Sequence, residues 1–187
     1  EAQKISAVNT IKLVNGRLIG HNTDGDGFLL SLKKEFSFQF DNKDVLLIGA
    51  GGSAKSIAMS LLNENIQSLT IINRTLDRAE QLSEHLISHY PSFSNHVKCA
   101  DLGFDLNSIS DLGLIINSTS IGMQSSDEIL LSSYEGINGT PLGVDIVYSS
   151  YDTHFMKSLL DKGFPVANGL GMLVGQGVLA YQFFTEK

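Results

Sequence analysis

The sequence contains a single cysteine among 187 residues, and its 13 lysines and arginines form no block. One thiol, Cys99, excludes a disulfide within the chain, which agrees with a reducing cytosol, and we expect a cytoplasmic protein. A net charge of −7 without a basic face disfavours a nucleic-acid partner. Because no apolar run approaches the roughly 20 residues of a membrane span, and no signal peptide is visible, we also expect no membrane partner.

A metal-ligand pattern is also missing. The five histidines form no ligand set with Cys99. His85 and His89 share a helix face, but they lack the intervening glutamate of a zinc motif and a third ligand, so we expect no metal site. The chain opens at Glu1 rather than at a methionine, and we expect it to be a piece of a longer protein. Its 42% of hydrophobic residues is enough for a substantial core.

The most informative stretch is residues 45–56, with the sequence VLLIGAGGSAKS. A short apolar run predicts a buried strand, Gly-x-Gly-x-x-Ala follows it, and an apolar helical pattern comes next, as in the first turn of a dinucleotide-binding unit. Gly49 permits the tight turn, Gly51 lets a pyrophosphate approach the backbone, and Ala54 lets helix and strand pack closely. The helix N-terminus offers free N–H groups to phosphates. The alternative is a glycine-rich turn without a ligand.

Strands and helices alternate after this turn. Near-continuous apolar strands alternating with helices predict an α/β fold, a Rossmann-type doubly wound parallel sheet covered on both faces. Before it, the Asn15-Gly16 turn signal predicts a hairpin of strands 5–11 and 17–20, followed by a helix that ends near Phe36. Residues 124–141 give no clear prediction. We predict strands at residues 45–48, 69–72, 97–100, 113–116, 142–147 and 165–167, and helices at about 53–63, 76–89, 153–162 and 171–184.

The end of the second sheet strand indicates which dinucleotide is bound. NAD sites usually have an acidic residue at this position, which holds the ribose 2′-hydroxyl. This sequence has Asn73 there, followed by Arg74, with Arg78 one helical turn further on. Two guanidiniums suit a 2′-phosphate, so NADP is favoured over NAD. The alternative is that Arg78 forms a surface ion pair with Asp77 or Glu80.

A polar segment follows the fourth strand, at Asn117, Ser118 and Thr119. Ligands of open α/β sheets bind at the carboxyl ends of the strands, so Ser118 and Thr119 are candidates to line the nicotinamide ribose. The alternative is an ordinary turn capped by serine and threonine.

Taken together and in order, these motifs and several others closely resemble the shikimate dehydrogenase family over essentially the whole chain. The motifs are Ala7-Val8-Asn9-Thr10, Asn22-Thr23-Asp24-Gly25, Gly49-Ala50-Gly51-Gly52, Asn73-Arg74-Thr75, Asn117-Ser118-Thr119-Ser120-Ile121-Gly122-Met123 and Asn168-Gly169-Leu170-Gly171-Met172-Leu173-Val174-x-Gln176. The resemblance implies an NADP-dependent enzyme that reduces 3-dehydroshikimate to shikimate in aromatic amino-acid biosynthesis. It also implies a small-molecule substrate in a cleft between two domains.

The resemblance also implies a division of the chain and a set of site residues. Residues 1–40 would be the end of a substrate-binding domain, 41–168 the NADP-binding domain, and 169–187 a C-terminal helix that packs back toward the substrate domain. Asp24 would be half of a catalytic Lys–Asp pair. The implied substrate contacts are Asn9, Asp24, Tyr148 and Gln176, and the implied cofactor contacts are Gly49, Gly51, Gly52, Ser53, Ala54, Asn73, Arg74, Thr75, Arg78, Ser118, Thr119, Gly169 and Met172.

Each substrate residue also has a plain structural alternative: Asp24 and Thr23 as helix caps, Asn9 as a turn residue, and Gln176 as a polar position on a packed helix. No lysine matches the family's catalytic position, so we expect the chain to bind cofactor but to be inactive. One alternative is a quinate/shikimate dehydrogenase that uses NAD. Another is a non-catalytic dinucleotide-binding or interaction module. Apolar surface exposed near residues 28–36 and 170–184 would then drive association, for example into a homo-oligomer.

Overall fold

A parallel sheet lies at the centre of the protein, which we describe from a computed structural model over residues 2–124, 130–131, 133–148 and 153–186. A separate antiparallel hairpin precedes it, with β1 at Thr10–Val14 and β2 at Arg17–His21. The strands of the central sheet are β3 Asp44–Ile48, β4 Ser68–Ile72, β5 Val97–Ala100, β6 Leu112–Asn117, β7 Leu142–Asp145 and β8 Val166–Ala167. The helices are α1 Ala2–Ile5, α2 Asp24–Phe36, α3 Gly52–Leu61, α4 Leu76–His89, α5 His154–Leu160 and α6 Leu170–Thr185.

The order of the strands in the sheet is β5-β4-β3-β6-β7-β8, and every neighbouring pair is parallel. This is the doubly wound order in which the chain first builds outward on one side of β3 and then on the other. The predicted α/β class is therefore confirmed. The reversal between β3 and β6 creates a crevice at the carboxyl ends of these strands, which is where such sheets bind ligands.

The strands are apolar on both faces because helices cover both sides of the sheet. Along β3, Val45 and Leu47 belong to one hydrophobic cluster, which includes residues of α2, α3, α4 and α6. Leu46 and Ile48 point to the other face and belong to a second cluster, with residues of α5 and of the loops near Leu106. This two-sided burial explains why the strands show no alternation of polar and apolar residues.

Helix α2 packs backbone to backbone against α6. A Cβ atom added to Gly27 would collide with the backbone nitrogen of Gln176, and one added to Gly175 would collide with the carbonyl oxygen of Gly27. Only glycine therefore permits this approach, which brings Gln176 close to the start of α2. Phe28, Leu29 and Leu32 are buried there, so the prediction of exposed apolar surface over 28–36 is wrong for these side chains.

The outer face of α6 is nevertheless apolar and exposed, as predicted for residues 170–184. Val174 is 58% exposed, Tyr181 62% and Phe184 49%. The adjacent hairpin also exposes Leu13 and Leu18. Among the described residues, none of the helices combines the length and apolar character that crossing a membrane requires.

The predicted strand at 5–11 is wrong, whereas the other predicted strands and helices are confirmed with shifts of their ends. Residues Ala2–Ile5 form α1, and Ile5 is buried against the core. Ser6 then adopts a left-handed φ of 54°, which ends the helix, and β1 begins only at Thr10. The predicted strand 142–147 ends earlier, at Asp145, because the Val147 amide donates to the Asp145 carboxylate instead of to a neighbouring strand.

Candidate functional site

Two cavities meet at the crevice between β3 and β6. The larger has a volume of about 450 Å³ and the smaller about 330 Å³. Residues 118–120, directly after β6, line both cavities and so form their common wall. The two cavities therefore make up one extended cleft at the ligand-binding edge of the sheet.

The glycine-rich turn between β3 and α3 borders the smaller cavity and has the features of an anion site. Gly49 has a φ of 114°, and a Cβ on it would lie 2.6 Å from Ser118 Oγ, so only glycine fits there. In contrast, a Cβ on Gly51 or Gly52 would meet no atom within 4 Å, so the space in front of the turn is open. Helix α3 also has no side-chain cap, which leaves the amides of its first turn available to a ligand.

Two arginines border the same cavity beyond the end of β4. Arg74 and Arg78 both line it, together with Asn73, whose side chain donates a 2.7 Å hydrogen bond to the Thr75 carbonyl and shapes the turn. Within the part of the chain that the structure describes, neither guanidinium lies within ion-pair distance of a carboxylate. The surface pair of Arg78 with Asp77 or Glu80 is therefore not observed, and both positive charges are available to an anionic ligand.

The larger cavity brings together residues from distant parts of the sequence. The predicted substrate residues all line it, as do several predicted cofactor residues; the full set is Asn9, Asp24, Tyr148, Gln176, Ser53, Ser118, Thr119, Gly169 and Met172. Gly169 is fixed by close packing, because a Cβ there would collide with the Ile146 carbonyl group. The remaining predicted cofactor residues lie around the glycine turn and the arginine pair, and Ala54 is fully buried beneath the turn.

Asn9 fixes the orientation of the Asp24 carboxylate. Its Nδ2 donates 2.7 Å to Asp24 Oδ1 and 3.0 Å to Thr23 Oγ1, and its Oδ1 accepts the Thr23 amide at 3.0 Å. Neither Thr23 nor Asp24 caps α2 through its side chain, so the capping alternative is wrong. Across the described residues, no lysine, arginine or histidine lies within ion-pair distance of Asp24.

Two buried side chains, Asn22 and Ser56, hold the segment around Asp24 in place through hydrogen bonds to its backbone. Ser56 Oγ donates to Asn22 Oδ1 at 2.7 Å and accepts the Gly25 amide at 2.8 Å, and Asn22 Oδ1 also accepts the Asp24 amide at 3.0 Å. The pair thus connects α3, which begins at the glycine turn, to the residues that carry the Asp24 carboxylate. Neither residue has a role that the sequence alone predicts. The available signal was a serine placed among the apolar residues of α3.

A second buried group missed by the sequence analysis is the carboxylate of Asp145, at the end of β7. It is fully buried and accepts hydrogen bonds from Asn117 Nδ2 at 3.0 Å, the Val147 amide at 3.0 Å and Thr153 Oγ1 at 2.7 Å. Burial raises the pKa of Asp145, and the three donors oppose that rise. Asn117 Oδ1 in turn accepts the Thr119 amide and hydroxyl. The predicted polar turn is therefore present, and its residues Ser118 and Thr119 also line the cleft.

Comparisons with known proteins agree with this geometry. The family model described as "Shikimate / quinate 5-dehydrogenase" matches residues 31–125. The shikimate dehydrogenase (NADP(+)) of Alkaliphilus oremlandii is 34% identical over 186 residues, which cover 99% of this chain and 65% of the relative. The chain belongs to the shikimate/quinate 5-dehydrogenase family. It spans about 65% of the length of the curated relatives that it matches.

Solved structures of this dehydrogenase family superimpose on the whole chain. A shikimate dehydrogenase crystallised in complex with NADP+ has a TM-score of 0.89 at 34% identity and covers 100% of this chain and 63% of its own. The shikimate 5-dehydrogenase of Listeria monocytogenes, in complex with shikimate and NAD, has a TM-score of 0.88 at 29% identity and covers 100% of this chain and 65% of its own.

Among the residues that the structure describes, histidine side chains do not line either cavity of the cleft. His21 is the last residue of β2 and stacks on Phe183 of α6, with ring centroids 4.9 Å apart and planes 16° from parallel. His85 and His89 pack against each other on α4, and His85 contacts the Lys4 carbonyl. Over the described residues, no group of three or more histidine, cysteine or acidic side chains is arranged to hold a metal ion.

Proposed function

We propose that this chain is the cofactor-binding part of an NADP-dependent shikimate dehydrogenase, which reversibly reduces 3-dehydroshikimate to shikimate in aromatic amino-acid biosynthesis. The observation that carries the proposal is the single cleft in which the glycine turn and the arginine pair adjoin the Asn9–Asp24 pair. The names of the relatives support the same activity.

The residues around the cleft fit NADP. The amides of the first turn of α3 and the open space above Gly51 suit the pyrophosphate, and Arg74 and Arg78 suit the 2′-phosphate. Gly169 and Met172, with the common wall at 118–120, would border the nicotinamide in the larger cavity. When bound, the reduced cofactor supplies the hydride for the substrate carbonyl.

The chain's own residues orient the substrate. Asp24, held by Asn9, would accept a hydrogen bond from a substrate hydroxyl, and Tyr148 and Gln176 would contact the substrate from the other walls. Reduction of a ketone leaves an alkoxide that needs a proton, and a carboxylate is a poor proton donor near neutral pH. A lysine beside Asp24 would serve better, but the described residues hold none there. We therefore propose that this chain binds NADP with little or no turnover.

We also propose that residues 1–40 belong to the substrate-binding domain and that residues 41–168 form the NADP-binding domain. The test is an assay of reduced-cofactor absorbance on addition of 3-dehydroshikimate, made with this chain and with a protein of the relatives' full length. Turnover only by the full-length protein is expected. Absence of turnover in both, with cofactor binding retained, would contradict the proposed activity and favour a non-catalytic dinucleotide-binding module.

A quinate/shikimate dehydrogenase that uses NAD is the second candidate. Two findings support this candidate: the Listeria monocytogenes relative was solved in complex with shikimate and NAD, and the family description includes quinate. The same assay with quinate and NAD in the oxidative direction distinguishes the two. For the protein of full length, our proposal predicts faster turnover with shikimate and NADP than with quinate and NAD.

A further inference from the structure

The buried Asp145 carboxylate connects two loops that both line the larger cavity. It accepts the Val147 amide at 3.0 Å, which bends the backbone after β7 away from the sheet. It also accepts Asn117 Nδ2 at 3.0 Å, and Asn117 Nδ2 donates to the Ile121 carbonyl at 3.2 Å as well. The shape of the loop after β6 and that of the loop after β7 therefore depend on the same group.

Both loops supply lining residues to the larger cavity. Ser118 and Thr119 come from the first loop and also border the smaller cavity with the arginine pair, whereas residues 146–148, including Tyr148, come from the second loop and line only the larger of the two cavities. Thr153, just before α5, donates a 2.7 Å hydrogen bond to the carboxylate and also caps α5 by accepting the Met156 amide. The first loop also packs against the glycine turn, since Gly49 lies next to Ser118.

Among the described residues, three donors converge on this carboxylate, two of them on Oδ1 and the Thr153 hydroxyl on Oδ2. An ionised carboxylate accepts from all three, whereas an amide in its place would turn its NH₂ group toward Thr153 Oγ1, which would then have to accept and would lose the acceptor for its own hydrogen. Burial makes that loss costly, because no water is there to replace the acceptor.

We propose that Asp145 is a positioning residue that sets the width of the nicotinamide end of the cleft by holding these two loops together. The inference rests on the proposed function, since it assumes that the cleft binds NADP. Asp145 would not touch the cofactor, and its effect should be larger at the nicotinamide end, because residues 146–148 line only the larger of the two cavities.

The test compares two ligands, NADPH and adenosine 2′,5′-bisphosphate, which has the adenine ribose and the 2′-phosphate but no nicotinamide. Asp145→Asn and Thr153→Val should weaken NADPH binding about tenfold while they change binding of the bisphosphate less than about twofold. Thr153→Ser keeps the hydroxyl and should stay within about twofold of the wild-type protein for both ligands. NADPH fluorescence reports the nicotinamide environment directly, and a thermal melt of each variant shows whether it folds.

Equal loss of both ligands in folded variants would overturn the inference, because it would indicate a merely structural role. Unchanged NADPH affinity in both variants would overturn it as well. If Asp145→Asn fails to fold, the Thr153→Val and Thr153→Ser pair decides between these results. If the wild-type chain binds neither ligand, the proposed function fails, and this inference fails with it.

Discussion

Ser56 and Asn22 share a buried 2.7 Å hydrogen bond, although one residue lies on the helix that begins at the glycine turn and the other precedes Asp24. Both side chains are almost completely inaccessible to solvent. Because the Gly25 amide donates to Ser56 and the Asp24 amide donates to Asn22, one hydroxyl organises the start of α2. These hydrogen bonds thus connect the helix at the proposed cofactor end of the cleft to the loop at the proposed substrate end.

Ser56→Ala should lower the free energy of unfolding by about 1–3 kcal/mol, because it leaves the buried Gly25 amide without its side-chain acceptor and removes one of the hydrogen bonds to the Asn22 oxygen. Urea denaturation followed by circular dichroism measures the change. Ser88→Ala, at an exposed position of α4, is the matched control and should change stability by less than about 0.5 kcal/mol. A loss as small as that of the control would contradict the assigned role of Ser56.

Arg74→Ala should weaken NADPH binding about tenfold or more and NADH binding only about twofold, because the guanidinium is proposed to hold the 2′-phosphate that NADH lacks. Calorimetric titration of both cofactors measures the two ratios. Arg17→Ala removes another exposed arginine, in the hairpin, and should leave both affinities unchanged. Equal losses for the two cofactors in Arg74→Ala would count against the assignment.

Gly51→Asp should abolish binding of both cofactors, because it adds a carboxylate in the open space proposed for the pyrophosphate. Gly177→Asp adds the same charge on α6, also where a side chain meets no atom within 4 Å, and should retain binding. Fluorescence titration with NADPH measures both variants. Normal affinity in a folded Gly51→Asp protein would mean that the turn has only a structural role.

Gly27→Ala should destabilise the protein by about 1–3 kcal/mol, because the new Cβ would collide with the backbone of α6 at Gln176. Gly177→Ala on the same helix pair has open space and should raise stability by about 0.5–1 kcal/mol, as expected for glycine replaced by alanine in a helix. Urea midpoints of the two variants should therefore move in opposite directions. A shift in the same direction would contradict the close packing of α2 on α6.

The sequence was sufficient to predict the central sheet and the glycine turn because both depend on local patterns. The apolar run of β3 marks a strand covered on both faces, and the spacing of Gly49, Gly51 and Ala54 marks the turn that follows. The error at residues 5–11 has the opposite cause. Ile5 has an apolar side chain that suits a strand, but its burial comes from packing as part of a short helix.

The roles of Ser56 and Asp145 could not be predicted, because each has a partner that is distant in sequence. Ser56 bonds a residue 34 positions away, and Asp145 bonds one 28 positions away. A serine within an apolar helix or an aspartate at a strand end fits many local roles. Only the packing of α2 on α3, and the pairing of β6 with β7, brings the partners together.

A side-by-side titration of this chain with NADPH and NADH decides whether the cleft is an NADP site. NADPH should bind more tightly, because the open glycine turn accepts the pyrophosphate of either cofactor and Arg74 and Arg78 add their charges only for the 2′-phosphate. Binding of neither cofactor, or equal or tighter binding of NADH, would contradict this assignment.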